Sequence, residues 1–361
     1  MKRIGIVSGS NRLDGIQIGM KAYENALSKN YKTTWYQCID PTFSDTLGVG
    51  IPILGTKIPF KMLEMGINRL FVFRKRFHNQ GDELLILSDP TLLKVPRKLN
   101  NVVVKVHDLR PLTKYSDNFF ARIMFKIVIR KLKLVRGIIV TTLWMKEQIG
   151  EYVPEDSLIF VVPDTCNMVM DTKHRIERSI ERVKSGNVNI TYIGTDRPYK
   201  NIRFYTFLAE NMPEIEGIKF NFHLITKLKE PTKRLLKART IPRLILHETV
   251  NDITEIYYDT DIYVQPSLYE GFGRPIIEAM ACGIPVIANS IESFQEIIGD
   301  AGMLIPVEKP EEWFSGILNM LQLDTLKRYS DRSLLRYERF GKTAFEAALS
   351  HAIEEFLNRK Y

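Results

Sequence analysis

The chain has 361 residues, of which 45% are hydrophobic and 26% charged, and it carries a net charge of +9. That length exceeds what one hydrophobic core sustains, so two domains are expected, and the composition is that of an ordinary globular protein. Its three cysteines, Cys38, Cys166 and Cys282, form neither a CxxC pair nor a metal spacing, which argues against a disulfide framework and fits a cytoplasmic setting.

The opening MKRIGIVSGSN turns polar too soon for a secretory leader, and no run approaches 18 uninterrupted apolar residues. A soluble or peripheral protein is therefore expected. Short β-rich runs follow at 3–9, 33–39, 83–89, 102–108, 137–142 and 158–164, then at 189–194, 220–226, 243–249, 261–267 and 284–290. Several are apolar at consecutive positions, the mark of strands buried on both faces, hence of parallel strands under helices. The spacings between them suit βα units. Two successive doubly wound α/β domains account for the pattern. The charged stretch HRIERSIERVKSGN (174–187) places the boundary near 180, giving domains 1–180 and 181–341. The last stretch, 342–361, is a helix with apolar residues at near 3.6 spacing, expected to pack back on the first domain.

Charge is unevenly divided. Residues 1–180 hold 28 Lys and Arg against 17 Asp and Glu, whereas 181–361 hold 23 against 25. The two halves are expected to face different partners.

Chemistry concentrates in YEGFGRPIIEAMACGIPVIA (269–288). The strand DIYVQPS leads into a turn where Gly271 and Gly273 permit close backbone approach. Pro275 suits the first turn of a helix and Gly283 its left-handed end, predicting a helix over 275–282. Free amides at that N-terminus, with the helix dipole, form a ready phosphate site over 271–275. Glu278, about one turn in, suits a ribose hydroxyl, by the logic of the acid that grips ribose in dinucleotide folds. Glu270, on the loop, reaches toward the far end of the ligand. A glycosidase pair is the other reading of two carboxylates, but here one acid lies beneath a helix start already suited to phosphate. Upstream, YIGTDRPYKN (192–201) ends a strand and presents Arg197 and Lys200, two cations able to neutralise a diphosphate and stabilise it as a leaving group.

PSLYEGFGRPIIEAMACGIPVIA, followed by SFQEIIGDAGMLI (293–305), resembles the donor-site signature of retaining glycosyltransferases of the GT-B fold, family GT4. The resemblance is specific over about 261–307. It implies two Rossmann-like domains with a cleft between them and a nucleotide-sugar donor, UDP- or GDP-linked, held mainly by the C-terminal domain. It also implies transfer of a hexose to an acceptor hydroxyl with retained configuration and no required metal or other cofactor. In that family the first glutamate, here Glu270, approaches the donor sugar, and the second, here Glu278, binds ribose. Donor contacts are accordingly expected at Gly271, Phe272, Gly273, Arg274, Glu278, Arg197 and Lys200, with Lys200 also acting on the leaving diphosphate. Tyr199 stands where many relatives have arginine, and Arg274 where the family commonly has an apolar residue, so Arg274 either touches a phosphate or charged donor or pairs with a surface acid. The resemblance further implies that His107, in VKVHDLRP (104–111), lies near the donor sugar, and that Gly15, in GSNRLDGIQIG (9–19), lies in the loop that meets donor and acceptor.

Asp259 and Asp261 in DTD invite a metal reading, but Asp261 opens a buried strand and Asp259 ends a helix, so both are expected to be structural. Ser293 to Glu296 fits a capping box. The basic first half is densest in FVFRKRFHN (71–79) and RIMFKIVIRKLKLVRG (122–137). The second alternates cationic and apolar residues, as either a helix packed on its own sheet or an interfacial face attracting anionic lipid. Such a face suits a membrane-held acceptor, a glycolipid or a polyprenyl-linked glycan. No nucleic-acid-binding motif accompanies the charge. Two other functions use the same signature: a nucleotide-sugar epimerase of GT-B fold, which needs further acid and base groups, and a non-catalytic nucleotide-sugar-binding or membrane scaffold.

Overall fold

A computed structural model describes residues 1–8, 15–39, 49–52, 81–92, 99–116 and 119–359. The basic stretch 71–79 lies outside them. The chain divides into two compact units, Met1–Asp164 with Phe345–Tyr361, and Thr165–Ala344.

The first unit is built on seven strands: β1 (Arg3–Ser8), β2 (Lys32–Ile39), β3 (Val49–Pro52), β4 (Leu84–Leu87), β5 (Leu99–Lys105), β6 (Val135–Val140) and β7 (Leu158–Val161). They run in the order β3-β2-β1-β4-β5-β6-β7, with every pairing parallel. Alternate residues feed two cores. Val7, Leu85, Val104, Ile138 and Val140 pack on one side with Ile129 and Met145. On the other side Ile4, Ile6, Ile86, Val103 and Ile139 meet Met20 and Tyr23 of α1 (Gly15–Leu27), with Phe345, Leu349, Ile353 and Phe356 of the C-terminal helix. Burial on both faces is why these strands read as continuous apolar runs. Beside that sheet lies α2 (Phe119–Ile129), followed by a 3-10 segment, Arg130–Leu134.

The second unit holds β8 (Asn187–Ile193), β9 (Lys219–Ile225), β10 (Leu244–His247), β11 (Ile262–Gln265), β12 (Val286–Ala288) and β13 (Gly302–Leu304). Their order is β10-β9-β8-β11-β12-β13, again all parallel. The compact division falls at 164/165, ahead of α3 (Thr172–Lys184), and not at the 180/181 read from charge. The reason is on the helix. Arg175, wholly buried, donates to the carbonyls of Thr260 (2.9 Å) and Gly283 (2.8 Å). Arg182 pairs with buried Asp261 at 3.0 Å, and Ser179 donates to the same carboxylate at 2.6 Å. An amphipathic charged helix is thus tied into the second sheet through its cations.

These bonds also account for DTD. Asp261 accepts from Arg182, Ser179 and the Asn189 amide, and Asp259 pairs with Arg178 and Arg182. Among the described residues no group of three His, Cys, Asp or Glu could hold a metal ion, and no described helix is long and apolar enough to cross a membrane.

In each unit the strand order reverses once, between β1 and β4 and between β8 and β11. In open α/β sheets, ligands bind beyond the carboxyl ends of the strands at that reversal, because the loops there diverge to opposite faces and leave a crevice.

Candidate active site

In the second unit the reversal is flanked by the loops after β8 and β11. The first leaves the sheet at Gly194, where a Cβ would stand 2.3 Å from the Tyr192 hydroxyl, so only glycine passes there. It runs through exposed Arg197 into a 3-10 turn, Pro198–Lys200. The second runs from Gln265 to Gly273. The Leu268 amide donates to the Tyr199 carbonyl at 2.7 Å and locks one loop against the other. This places Lys200 on Glu270 as an ion pair, both side chains largely buried.

Further donors converge on the same carboxylate oxygen. Tyr263 donates to Gln265 Oε1 (2.5 Å), Gln265 Nε2 donates to Ser267 Oγ (2.6 Å), and Ser267 Oγ donates to Glu270 Oε1 (3.0 Å). Asn289 Nδ2 holds the Ser267 carbonyl at 2.9 Å. Tyr263, Gln265 and Ser267 are buried, so the relay is shielded and geometrically fixed. Sequence reading missed all three. The available signal was a glutamine closing the otherwise apolar strand IYVQ, since a buried polar side chain needs partners.

The glycine turn delivers α5 (Arg274–Ala281), one residue earlier than the expected 275–282. Gly273 caps it at φ 101°, and a Cβ there would lie 2.8 Å from the Phe294 ring. Gly283 follows the helix at φ 65°. The first-turn amides of α5 therefore open at the carboxyl end of β11, a position suited to an anion. The Phe272 ring is buried and packs edge-on to Phe340 at 5.7 Å, which fixes the loop that leads into α5.

Glu278 lies one turn into α5, held from two directions. Tyr257 of α4 (Ile253–Tyr258) donates to its Oε2 at 2.8 Å, and Arg274 stands 3.6 Å from its Oε1. Burial, then the Glu278 charge, pushes the Tyr257 phenol well above its ordinary value, so this tyrosine serves as a fixed donor. Tyr257 was not foreseen, because its approach to Glu278 is made by the fold and not by sequence spacing. The expected capping box also differs. Helix Glu292–Ile298 starts from Ile291, whose carbonyl accepts from the Phe294 and Gln295 amides, and Ser293 Oγ is buried inside it with no partner among the described residues.

His107 and Gly15 lie in the first unit. Gly15 opens α1. His107 follows β5. Its ring bonds the Ser88 backbone, while its Nε2 is enclosed with no hydrogen-bond partner among the described residues. Burial, then the Lys105 charge, lowers its pKa to about 4. Asp108 accepts from the Arg110 amide at 3.0 Å and shapes the next turn.

Residues 187–323 match the sequence model of a family described as glycosyl transferases group 1. The chain is 24% identical over 241 residues to the O-antigen chain mannosyltransferase RfbU of Salmonella typhimurium, covering 64% of this chain and 65% of that one. It is 31% identical over 158 residues to O-antigen chain mannosyltransferase B of Escherichia coli, covering 42% and 41%. The matched stretches thus span less than two thirds of either relative. Among solved structures, Anabaena HepE in complex with UDP-glucose superposes with a TM-score of 0.71 at 14% identity, over 98% of this chain and all of that one. Two doubly wound parallel sheets and the superposition agree on the GT-B fold, and within the second unit residues 187–323 are similar to the group 1 glycosyltransferases.

Proposed function

We propose that the protein is a retaining glycosyltransferase that moves a hexose from a nucleoside diphosphate sugar to an acceptor hydroxyl on a membrane-held glycan or glycolipid. The observation that carries the reading is the pairing of Lys200 with Glu270 beside the amides of α5, one turn ahead of a doubly held Glu278. A cation, a helix N-terminus and a hydroxyl-seeking acid in that order suit a sugar diphosphate and its ribose. UDP-glucose in the HepE complex and the names of the two mannosyltransferases support a nucleotide-sugar donor, with mannose the first hexose to try.

In this mechanism Glu278 accepts from ribose hydroxyls, and the α5 amides with Lys200 hold the diphosphate. As the anomeric C–O bond breaks, its electron pair passes to the diphosphate, where Lys200 stabilises the added charge. The acceptor oxygen bonds the same face of the anomeric carbon, and its proton passes to the departing phosphate. Glu270, aimed by Ser267 and Gln265, faces the sugar, and the family resemblance adds His107. Every step uses side chains and amides of the chain itself, so transfer is expected to proceed in EDTA.

The membrane part of the reading is supported by α2. Phe119, Ile123 and Ile127 are 76%, 40% and 49% exposed, one above another along the helix, with exposed Lys126, Arg130 and Lys133 alongside. An apolar stripe rimmed by cations suits the headgroup boundary of an anionic bilayer.

The test is product analysis after incubation with UDP- and GDP-hexoses and lipid-linked acceptors. Free nucleoside diphosphate and a lipid-bound hexose of retained configuration are expected. An altered nucleotide sugar with no free diphosphate would identify an epimerase. Donor binding without turnover in any mixture would identify a scaffold.

A further inference from the structure

Below His107 the first unit holds an ion pair that the donor site does not use. Lys105, the last residue of β5, is fully buried, and its ammonium lies 2.5 Å from Asp164 Oδ1. The same ammonium stands 4.6 Å from the centre of the Tyr23 ring on α1. A charge pair in a sheet interior pays heavily in lost hydration, and apolar residues of similar size are often at least as stable. Lys105 ends β5 two positions before His107, and its buried ammonium is among the groups that disfavour a proton on the ring.

The His107 ring presents two different nitrogens. Nε2 has no partner among the described residues, so the bond to the Ser88 backbone is made by Nδ1. A ring that donates from Nδ1 to a carbonyl and stays neutral presents a lone pair at Nε2. Gaining a second proton would turn Nε2 from acceptor to donor.

We propose that the Lys105–Asp164 pair is a positioning device for His107, holding the imidazole neutral with Nε2 presented as an acceptor for a sugar hydroxyl. The sugar-hydroxyl part rests on the transferase reading; the control of the ring does not. The charged groups acting on the ring are Lys105 on β5, Asp164 beyond β7 and Asp89 beyond β4. Burial and Lys105 disfavour its protonation, while Asp164, Asp89 and the Ser88 bond favour it. Deleting the cation alone is thus expected to raise the pKa of His107, because Asp164 then acts unopposed. Deleting both charges is expected to raise it less.

The experiment is an imidazole NMR titration of 15N-histidine-labelled full-length protein, with the His107 signal assigned through His107→Gln. Wild type, Lys105→Met and the double variant Lys105→Met/Asp164→Asn are compared. The double variant leaves no lone buried charge and covers the case in which Lys105→Met fails to fold. The expected result is a wild-type ring with its proton on Nδ1 across neutral pH. Its titration midpoint moves upward by at least one pH unit in Lys105→Met, with the double variant in between. The acid limb of kcat/KM for sugar transfer should move with the midpoint, which a purely structural pair would not cause. Equal midpoints in all three proteins, or a wild-type ring with its proton on Nε2, would overturn the proposal. A wild type that transfers no sugar while the midpoints move as expected would refute the transferase reading and leave the positioning pair standing.

Discussion

Lys200 and Glu270 are 70 residues apart in sequence, and each stands out by its setting: Lys200 by the strand end and Gly194 before it, Glu270 by the strand end before it and the glycines Gly271 and Gly273 after it. The fold brings the two together because parallel strands deliver their loops to one edge. Local reading fails for Gln265, Ser267 and Tyr257, whose chemistry consists of contacts that exist only once strands and helices have packed. The packing of the Phe272 ring against Phe340 is likewise a contact made only by the fold. The relay from Tyr263 through Gln265 and Ser267 is buried and ends on Glu270, so its effect is expected to run through the aim of that carboxylate. Gln265→Leu should lower kcat roughly 10–100-fold, the range expected when a reacting group is misaligned, with the donor KM nearly unchanged. A raised KM at unchanged kcat would place Gln265 in donor binding.

Strand positions were readable wherever both faces are buried. The two strands absent from the sequence reading, β3 and β13, are only four and three residues long, and both sit at sheet edges. A run that short gives no periodicity to detect. The misplaced boundary has a different cause: α3 is rich in charge, which in sequence resembles a linker, yet Arg175 is wholly buried and satisfies two carbonyls. Burial also lowers the Arg175 pKa to about 10, which leaves the guanidinium charged throughout the neutral range. Arg175→Met should therefore orphan the Thr260 and Gly283 carbonyls, at about 1–3 kcal/mol each. Thermal melting is expected roughly 5–15 °C lower. A change of under about 2 °C would mean that α3 is held by apolar contact alone.

Across the whole chain, the excess of positive charge in residues 1–180 and the exposed stripe of α2 bear on one question, what the first unit faces. If that partner is an anionic bilayer, the full-length protein should sediment with phosphatidylglycerol vesicles and not with phosphatidylcholine vesicles. Binding should weaken with added salt as surface charges are screened. Replacing Phe119, Ile123 and Ile127 together by serine should reduce binding at least tenfold while leaving the melting temperature within a few degrees. Undiminished binding would assign the interaction to charge elsewhere.

The second unit's role is tested most directly by nucleotide binding. Wild type and Glu278→Ala are melted with UDP, GDP, ADP and their sugar conjugates. A ligand at about 100 times its dissociation constant adds roughly 2.7 kcal/mol, a shift of several degrees in a unit of this size. One nucleotide family is expected to stabilise wild type and to lose most of that effect in Glu278→Ala. Equal stabilisation of both proteins, or none by any nucleotide, would contradict the donor site described here.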